Sequence, residues 1–209
     1  MRLAVTLSLA VATLSLAACD HSIAVRRPGD TKLDQAYTTM WVRDLRAHAQ
    51  DGDIILRRGY AVMSDLILLM TPGAPMSHAG IYDARTHTVI DAVSSGVREV
   101  PDEMYLNASH RWMIVRPTGL SLIERRAAVD RARAAVGTGF DFSGFVGVDN
   151  PDRFYCSELA AWALGVRDDV FADEFLVTPA ELTAVGPTIY ASVDRGELPT
   201  AQVDPYWRK

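Results

Sequence analysis

Cys156 is the residue of this chain that is best placed for covalent chemistry. It stands in RFYCSELAAWAL (residues 153–164), where an irregular segment leads into an apolar helix. A thiol at the start of a helix faces unpaired N–H groups and the positive end of the helix dipole, and both favour the thiolate. Because the thiolate is the reactive form, this position predicts a cysteine nucleophile. The structural alternative is a buried, inert cysteine that packs beside Trp162.

A cysteine nucleophile needs a base, and His78 is the candidate among the five histidines. It opens the apolar strand-like run HAGIY, so the backbone fixes its position while the ring can face a cleft. Asp91 lies inside the apolar run VIDAV, where an unpaired carboxylate is costly. A hairpin turn near residues 84–85 would place both side chains on adjacent strands. We therefore predict that Asp91 accepts from one ring nitrogen of His78 while the other nitrogen faces Cys156; an aspartate that points to solvent is the alternative.

The second cysteine ends an apolar N-terminal segment. Residues 1–18 contain one arginine, then an apolar run and then small residues, which is typical of a secretory signal and too short for a spanning helix. The sequence LAAC, which ends at Cys19, is similar to the lipobox of bacterial lipoproteins, in which the cysteine is diacylated and becomes the new N terminus. The lipid would hold the protein on a membrane surface. An ordinary signal peptide with a chance cysteine is the alternative.

The rest of the chain is long enough for one domain with a sizeable core. We predict a polar tether over residues 19–30 and a single domain over residues 31–209. The net charge is −5 with acids and bases interspersed, and no basic stripe indicates nucleic acid. If Cys19 is acylated, Cys156 has no intramolecular disulfide partner, which favours a functional thiol. A zinc site has no support from CxxC or HExxH spacing, so no metal and no cofactor are predicted.

Apolar periodicity and turn residues place these candidates on secondary-structure elements. Helices are predicted over residues 31–50, 61–70, 122–136 and 156–166, with a short one after Pro179. Strands are predicted over residues 52–59, 77–83, 87–93 and 111–117. VREVP (97–101) either continues the third strand or forms a new one, and the helix over 61–70 is expected to be buried or to line a channel. Strands and helices are partly segregated, which indicates an α+β fold.

Six stretches resemble, in this order, the YiiX/YebB-like branch of the NlpC-type cysteine hydrolases: GDIIL, SHAGIY, VIDAVSSGV, MIVRP, FDF and FYCSELAAWAL. The resemblance covers about residues 52–179. It implies a circularly permuted papain-like domain, in which histidine precedes cysteine and a small antiparallel sheet packs against helices. It also implies a triad in which Cys156 is the nucleophile, His78 the base and Asp91 the third member. That family more often has glutamate at the third position, and aspartate is shorter by one methylene.

The predicted function is a lipid-anchored cysteine hydrolase of the bacterial cell envelope. It would face the periplasm from the inner or outer membrane, act as a monomer and cleave an amide in a peptide or peptidoglycan-derived substrate through an acyl-enzyme. Backbone N–H groups at the start of the Cys156 helix are the expected oxyanion donors. Tyr155, Ser157 and Phe140 are further candidates for the oxyanion or substrate site.

Two other functions stay open at this point. One is an acyltransferase or thioesterase that acts on lipid acyl groups, and the other is a non-catalytic envelope binding module. A polar cleft able to hold a dipeptide would favour the peptide hydrolase. A long apolar tunnel near residues 66–70 would favour a lipid substrate. The presence of cysteine, histidine and acid together argues against the binding module.

Overall fold

A computed structural model describes most of the domain. It covers residues 22–71, 73, 75–144, 148, 150, 152–174, 176–203 and 205. Cys19 and the predicted signal segment lie outside the described residues. All three members of the predicted triad are described.

An antiparallel sheet of six strands forms the centre of the described chain. Its strands are β1 (Ile54–Gly59), β2 (His78–Asp83), β3 (Thr88–Val93), β4 (Gly96–Pro101), β5 (Ser109–Val115) and β8 (Thr188–Ala191). They lie in the order β4-β3-β2-β1-β5-β8. Two short strands, β6 (Gly139–Phe140) and β7 (Arg153–Phe154), form a separate parallel pair. VREVP belongs to a new strand, β4, whereas β8 has no counterpart among the sequence predictions.

Seven helices accompany the sheet in the described residues. They are α1 (Thr31–His48), α2 (Val62–Met70), α3 (Asp102–Asn107), α4 (Leu122–Ala134), α5 (Cys156–Leu164), α6 (Arg167–Val170) and α7 (Thr200–Val203), and a 3-10 helix covers Glu181–Val185. The predicted helices over 31–50, 122–136 and 156–166 are confirmed to within a few residues. A capping box begins α4, in which the side chains of Ser121 and Glu124 each accept from the other's backbone N–H.

Two apolar clusters cover the two faces of the sheet. The helices α4 and α5 cover the first face, whose strands contribute Ile54, Leu56, Ala79, Ile81, Ile90 and Ala92. The helix α1 and the residues Tyr105 and Leu106 of α3 cover the second face, whose strands contribute Ile55, Tyr82, Val89, Val100 and Ile114. Since strand side chains alternate between faces, His78 and Asp91 both lie on the second face. This layered arrangement is the α+β fold that the sequence predicts.

The helix α2 is not buried, so the first of the two alternatives predicted for it is wrong. Met63, Leu66 and Leu69 are exposed, and no α2 side chain belongs to either apolar cluster among the described residues. The helix connects β1 to β2 across the end of the sheet, so only one side of it can contact the domain. Its apolar composition therefore reflects an exposed surface and not a core.

Candidate active site

The local sequence places Cys156 at the start of a helix, as predicted. Cys156 is the first residue of α5, and Tyr155 is the N-cap with an extended backbone. The Glu158 carboxylate accepts from the Tyr155 N–H at 3.1 Å, which holds the turn before the thiol. The first intrahelical bond runs from the Leu159 N–H to the Tyr155 carbonyl, so the amides of Cys156 and Ser157 precede the helical ladder. The Cys156 side chain is 7% exposed.

The β2–β3 hairpin brings His78 to Asp91. The His78 Nε2–H donates to Asp91 Oδ2 at 2.7 Å, and the carboxylate is fully buried. In the strand register Asp91 pairs with Gly80, so its carboxylate reaches the ring diagonally, two residues along β2. This arrangement leaves Nδ1 as the ring nitrogen for the thiol.

Gly80 makes this diagonal contact sterically feasible. A Cβ at position 80 would collide with Val89 Cγ1, and it would lie 3.1 Å from the Ile90 carbonyl oxygen and 3.4 Å from Asp91 Cβ. We predict that Gly80→Ala lowers the free energy of unfolding by about 1–3 kcal/mol, because the strand must shift to relieve this overlap. Urea unfolding measures the change. Gly29→Ala is the matched control, since a Cβ there meets nothing within 4 Å, and equal stability of the two variants would contradict the steric argument.

Arg98 is a second partner of Asp91 that the sequence analysis missed. It lies opposite Asp91 in the β3–β4 register. Its Nε donates to Asp91 Oδ1 at 2.8 Å and its Nη2 donates to Asp91 Oδ2 at 3.2 Å. Burial raises the pKa of Asp91, but the hydrogen bonds and charges of His78 and Arg98 outweigh it, so the pKa is well below its ordinary value. Asp91 is therefore a carboxylate at neutral pH.

Arg57 and Tyr105 flank His78 on its other side. Arg57 lies opposite His78 in the β1–β2 register, and its guanidinium donates to the Ala108 carbonyl at 2.8 Å. The same group lies 4.7 Å over the ring of Tyr105, whose centroid is 5.8 Å from that of the His78 ring. The four polar side chains form a row across neighbouring strands on one face: Arg98, Asp91, His78 and Arg57.

The thiol and the imidazole favour each other's charged form. Burial raises the pKa of the Cys156 thiol, but the charge and hydrogen bond of His78 and the Ala79 backbone N–H outweigh it, and the net pKa is lowered. Burial lowers the pKa of His78, but the charge of Cys156 and the hydrogen bonds to Asp91 and Cys156 outweigh it, and the net pKa is raised. The two shifts together favour a thiolate–imidazolium pair.

The three additional site candidates have structural contacts. The Tyr155 hydroxyl accepts from the Val177 N–H at 3.1 Å, and the Ser157 hydroxyl donates to the Val177 carbonyl at 2.7 Å. Both hydroxyls therefore hold the backbone at Val177 against the start of α5. The Phe140 ring lies 4.7 Å from the Phe142 ring and packs against the first apolar cluster. Their roles toward a substrate or an oxyanion stay predictions.

In the part of the chain that the structure describes, no group of three or more His, Cys, Asp or Glu side chains is arranged to hold a metal ion.

A comparison with protein families identifies the fold. Residues 48–194 match the family described as permuted papain-like amidase enzyme, YaeF/YiiX, C92 family. The chain belongs to this family. The matched segment contains all three triad candidates. Membership of this family confirms the permuted papain-like fold and the cysteine hydrolase activity that the six stretches predict. Among curated proteins, none matches the chain.

Proposed function

We propose that this C92-family hydrolase is a lipid-anchored enzyme of the cell envelope that cleaves an amide through an acyl-enzyme on Cys156. The observation that supports the triad most directly is the position of His78: its Nε2 is hydrogen-bonded to the Asp91 carboxylate, and its charge lowers the pKa of the Cys156 thiol. Imidazole between thiol and carboxylate is the arrangement that cysteine nucleophiles use.

In the first half of the reaction the Cys156 thiolate attacks the substrate carbonyl carbon. A carbon–sulfur bond forms and the carbonyl oxygen becomes an oxyanion, for which the amides of Cys156 and Ser157 at the start of α5 are the proposed donors. The tetrahedral intermediate collapses, the carbon–nitrogen bond breaks and the His78 imidazolium gives its proton to the leaving amine. Asp91 holds the ring in the tautomer that keeps Nδ1 towards the thiol and stabilises its positive charge.

In the second half His78, now neutral, accepts a proton from water. The resulting hydroxide attacks the thioester, and a second tetrahedral intermediate forms at the same oxyanion donors. Its collapse releases the carboxylic acid and returns the thiolate and the imidazolium to their starting state. No group outside the chain and water is needed to balance the reaction.

A cleft that includes Arg57 of the catalytic row supports a peptide substrate. It has a volume of about 650 Å³, and its lining includes Arg26, Arg27, Arg57, Tyr60 and Ser64. Because Arg57 pairs with His78 across β1 and β2, the cleft borders the proposed catalytic row. A volume of this size accommodates a short peptide. Arg26 is exposed in this lining, where its charge complements a free carboxylate of the kind that envelope peptides carry, whereas Arg27 is ion-paired with Asp34.

A lipid acyl group is the second candidate substrate, because α2 exposes apolar side chains at the same end of the sheet. The two substrates can be separated with the full-length protein in detergent, incubated with peptidoglycan-derived peptides and with long-chain acyl thioesters. We expect amide cleavage in the peptides and an acyl mass on the Cys156 peptide, read by mass spectrometry. Turnover of thioesters alone would favour the lipid candidate, and peptide cleavage that persists in Cys156→Ala would overturn the mechanism.

The anchor is the third part of the proposal, and it rests on the lipobox-like sequence that ends at Cys19. Among the described residues, no helix has the length and apolar character needed to cross a bilayer. Diacylation of Cys19 would supply the attachment. Mass analysis of the N-terminal fragment from a bacterial membrane fraction is expected to show two or more fatty acyl chains on this cysteine. A Cys19→Ser chain found in the same acylated fraction would contradict the anchor.

A further inference from the structure

One exposed apolar surface has no role in the proposed chemistry. It consists of Ile23 and three α2 residues, Met63, Leu66 and Leu69, whose side chains are 85%, 59%, 46% and 83% exposed in that order. The three α2 residues recur every third position, so they lie along one side of the helix. We refer to these four residues as the apolar patch. Contiguous exposed apolar surface of this kind marks a contact with a protein or a membrane.

The N-terminal segment is fixed to α2 by hydrogen bonds. The Ser22 hydroxyl donates to Asp65 Oδ1 at 2.7 Å, and the Ile23 N–H donates to Asp65 Oδ2 at 2.7 Å. The Ser22 N–H also donates to the Tyr60 carbonyl, and Arg58 forms an ion pair with Asp65. The N-terminal segment therefore joins the domain beside the apolar patch.

The charge distribution on α2 favours a lipid environment for its outer side. Asp65 is the one charged residue in the helix sequence VMSDLILLM. Its carboxylate is fully engaged by Ser22, Ile23 and Arg58, so the outward side of the helix carries no unpaired charge. Arg26 is exposed nearby, where a cation would meet anionic headgroups. An apolar strip beside a basic residue is the pattern of a helix that lies in a bilayer interface.

The covalent distance to the proposed anchor is short. Three residue steps separate Cys19 from Ser22, and a fully extended chain of that length spans at most about 11 Å. Acyl chains on Cys19 would therefore hold Ser22, and with it the start of the apolar patch at Ile23, within about one helix diameter of the bilayer surface. A patch with affinity for the interface, held at that distance, would be in contact with it.

We infer that the apolar patch docks on the surface of a lipid bilayer, and that this contact directs the active-site end of the sheet towards the membrane. The inference rests on the proposed acylation of Cys19. The helix α2 links the end of β1 to the start of β2, and His78 is the first residue of β2. The cleft that borders Arg57 is also lined by Ser22, Ala61 and Ser64. Docking thus presents the cleft to substrates that lie close to the membrane surface.

The test measures lipid contact at single positions of the full-length protein. The acylated chain carrying Cys156→Ala and Leu69→Cys is labelled with an environment-sensitive fluorophore and reconstituted into phosphatidylethanolamine–phosphatidylglycerol vesicles. We expect blue-shifted emission that loses about half of its intensity or more when nitroxide groups are placed near the headgroups of the lipids. The matched control is Ile123→Cys, a 78% exposed site on α4. Arg125 of that helix bonds to Asp53 at the opposite end of β1, so the control label is expected to remain unquenched.

A second variant tests whether the patch acts as a unit. A label at Met63→Cys is expected to be quenched, and Leu66→Ser with Leu69→Asp in the same chain is expected to reduce that quenching at least twofold. Equal emission at positions 69 and 123 in acylated protein would overturn the docking and leave the anchor in place. Excimer-like coupling between two labels at position 69 without lipid quenching would assign the patch to a second copy and also overturn it. A mass spectrum without acyl chains on Cys19 would overturn the anchor and the docking together, while leaving the triad untouched.

Discussion

Replacing His78 with alanine is expected to remove the reactivity of Cys156 towards iodoacetamide at neutral pH. In the native protein the charge and hydrogen bond of His78 lower the pKa of the thiol against the effect of burial. Without the imidazole, burial is opposed only by the Ala79 N–H and the Ser157 hydroxyl, so the pKa of the thiol rises. The alkylation rate of the variant should therefore climb about tenfold per pH unit throughout the neutral range, whereas the native rate is already high there. Hydrolysis of the peptide substrate should fall about 10²–10⁴-fold.

The pH profile of the native enzyme follows from the lowered pKa of Cys156 and the raised pKa of His78. Activity should rise with pH as the thiolate forms, and this acid limb lies below pH 9.0 because the pKa of Cys156 is lowered. Activity should fall again as the imidazolium is lost, and this alkaline limb lies above pH 6.5 because the pKa of His78 is raised. His110→Ala is the matched control, since His110 is also a largely buried histidine with a carboxylate partner, Asp194, at 3.3 Å. A native alkylation profile in His78→Ala would reject the pairing of these two side chains.

The parts of the site that were predicted from sequence depend on local signals. The start of α5 at Cys156 follows from an irregular segment, a first-turn glutamate and a run of good helix formers. The approach of His78 to Asp91 follows from a short turn between two apolar runs, because a hairpin constrains which residues face each other. The exact pairing was not predicted: Asp91 lies opposite Gly80, and the glycine provides the space for a diagonal contact.

The parts that were not predicted depend on pairing between distant segments. Arg98 contacts Asp91 only because β4 adds to the sheet in a register that no local pattern specifies. Arg57 faces His78 because β1 and β2 are neighbours although α2 and a further loop separate them in sequence. The strand β8 pairs with β5 from more than 70 residues away, and its four residues are too few to show a period.

The prediction for α2 failed for a different reason. Apolar composition favours removal from water, but it does not distinguish a protein core from another apolar phase. The run LILLM was therefore expected to be buried or to line a channel, whereas the structure exposes Leu66 and Leu69. The distinction needs the three-dimensional neighbours of the helix, here the ion-paired Asp65 and the N-terminal segment bound to it.

Asp91→Asn is expected to reduce hydrolysis about 10²–10⁴-fold, although an amide is nearly the same size as a carboxylate. Both Asp91 oxygens accept hydrogen bonds in the native protein, Oδ1 from Arg98 Nε and Oδ2 from His78 Nε2 and Arg98 Nη2. An amide has one oxygen and one NH₂, so one of these donors must face another donor. The positively charged Arg98 attracts the oxygen, which leaves the NH₂ against His78 and selects the tautomer that cannot accept the thiol proton.

Arg98 therefore determines whether an amide can replace the carboxylate. Adding Arg98→Ala to Asp91→Asn frees the amide to turn its oxygen towards His78, and we expect this double variant to regain about tenfold of the lost activity or more. Arg98→Ala alone keeps the Asp91–His78 bond and should cost less than about tenfold. Steady-state hydrolysis of the peptide substrate is measured for the native protein, Asp91→Asn, Arg98→Ala and the double variant. The four rates give the coupling free energy between positions 91 and 98. A double variant no more active than Asp91→Asn would mean that the negative charge itself, and not the orientation of the ring, is what the third residue supplies.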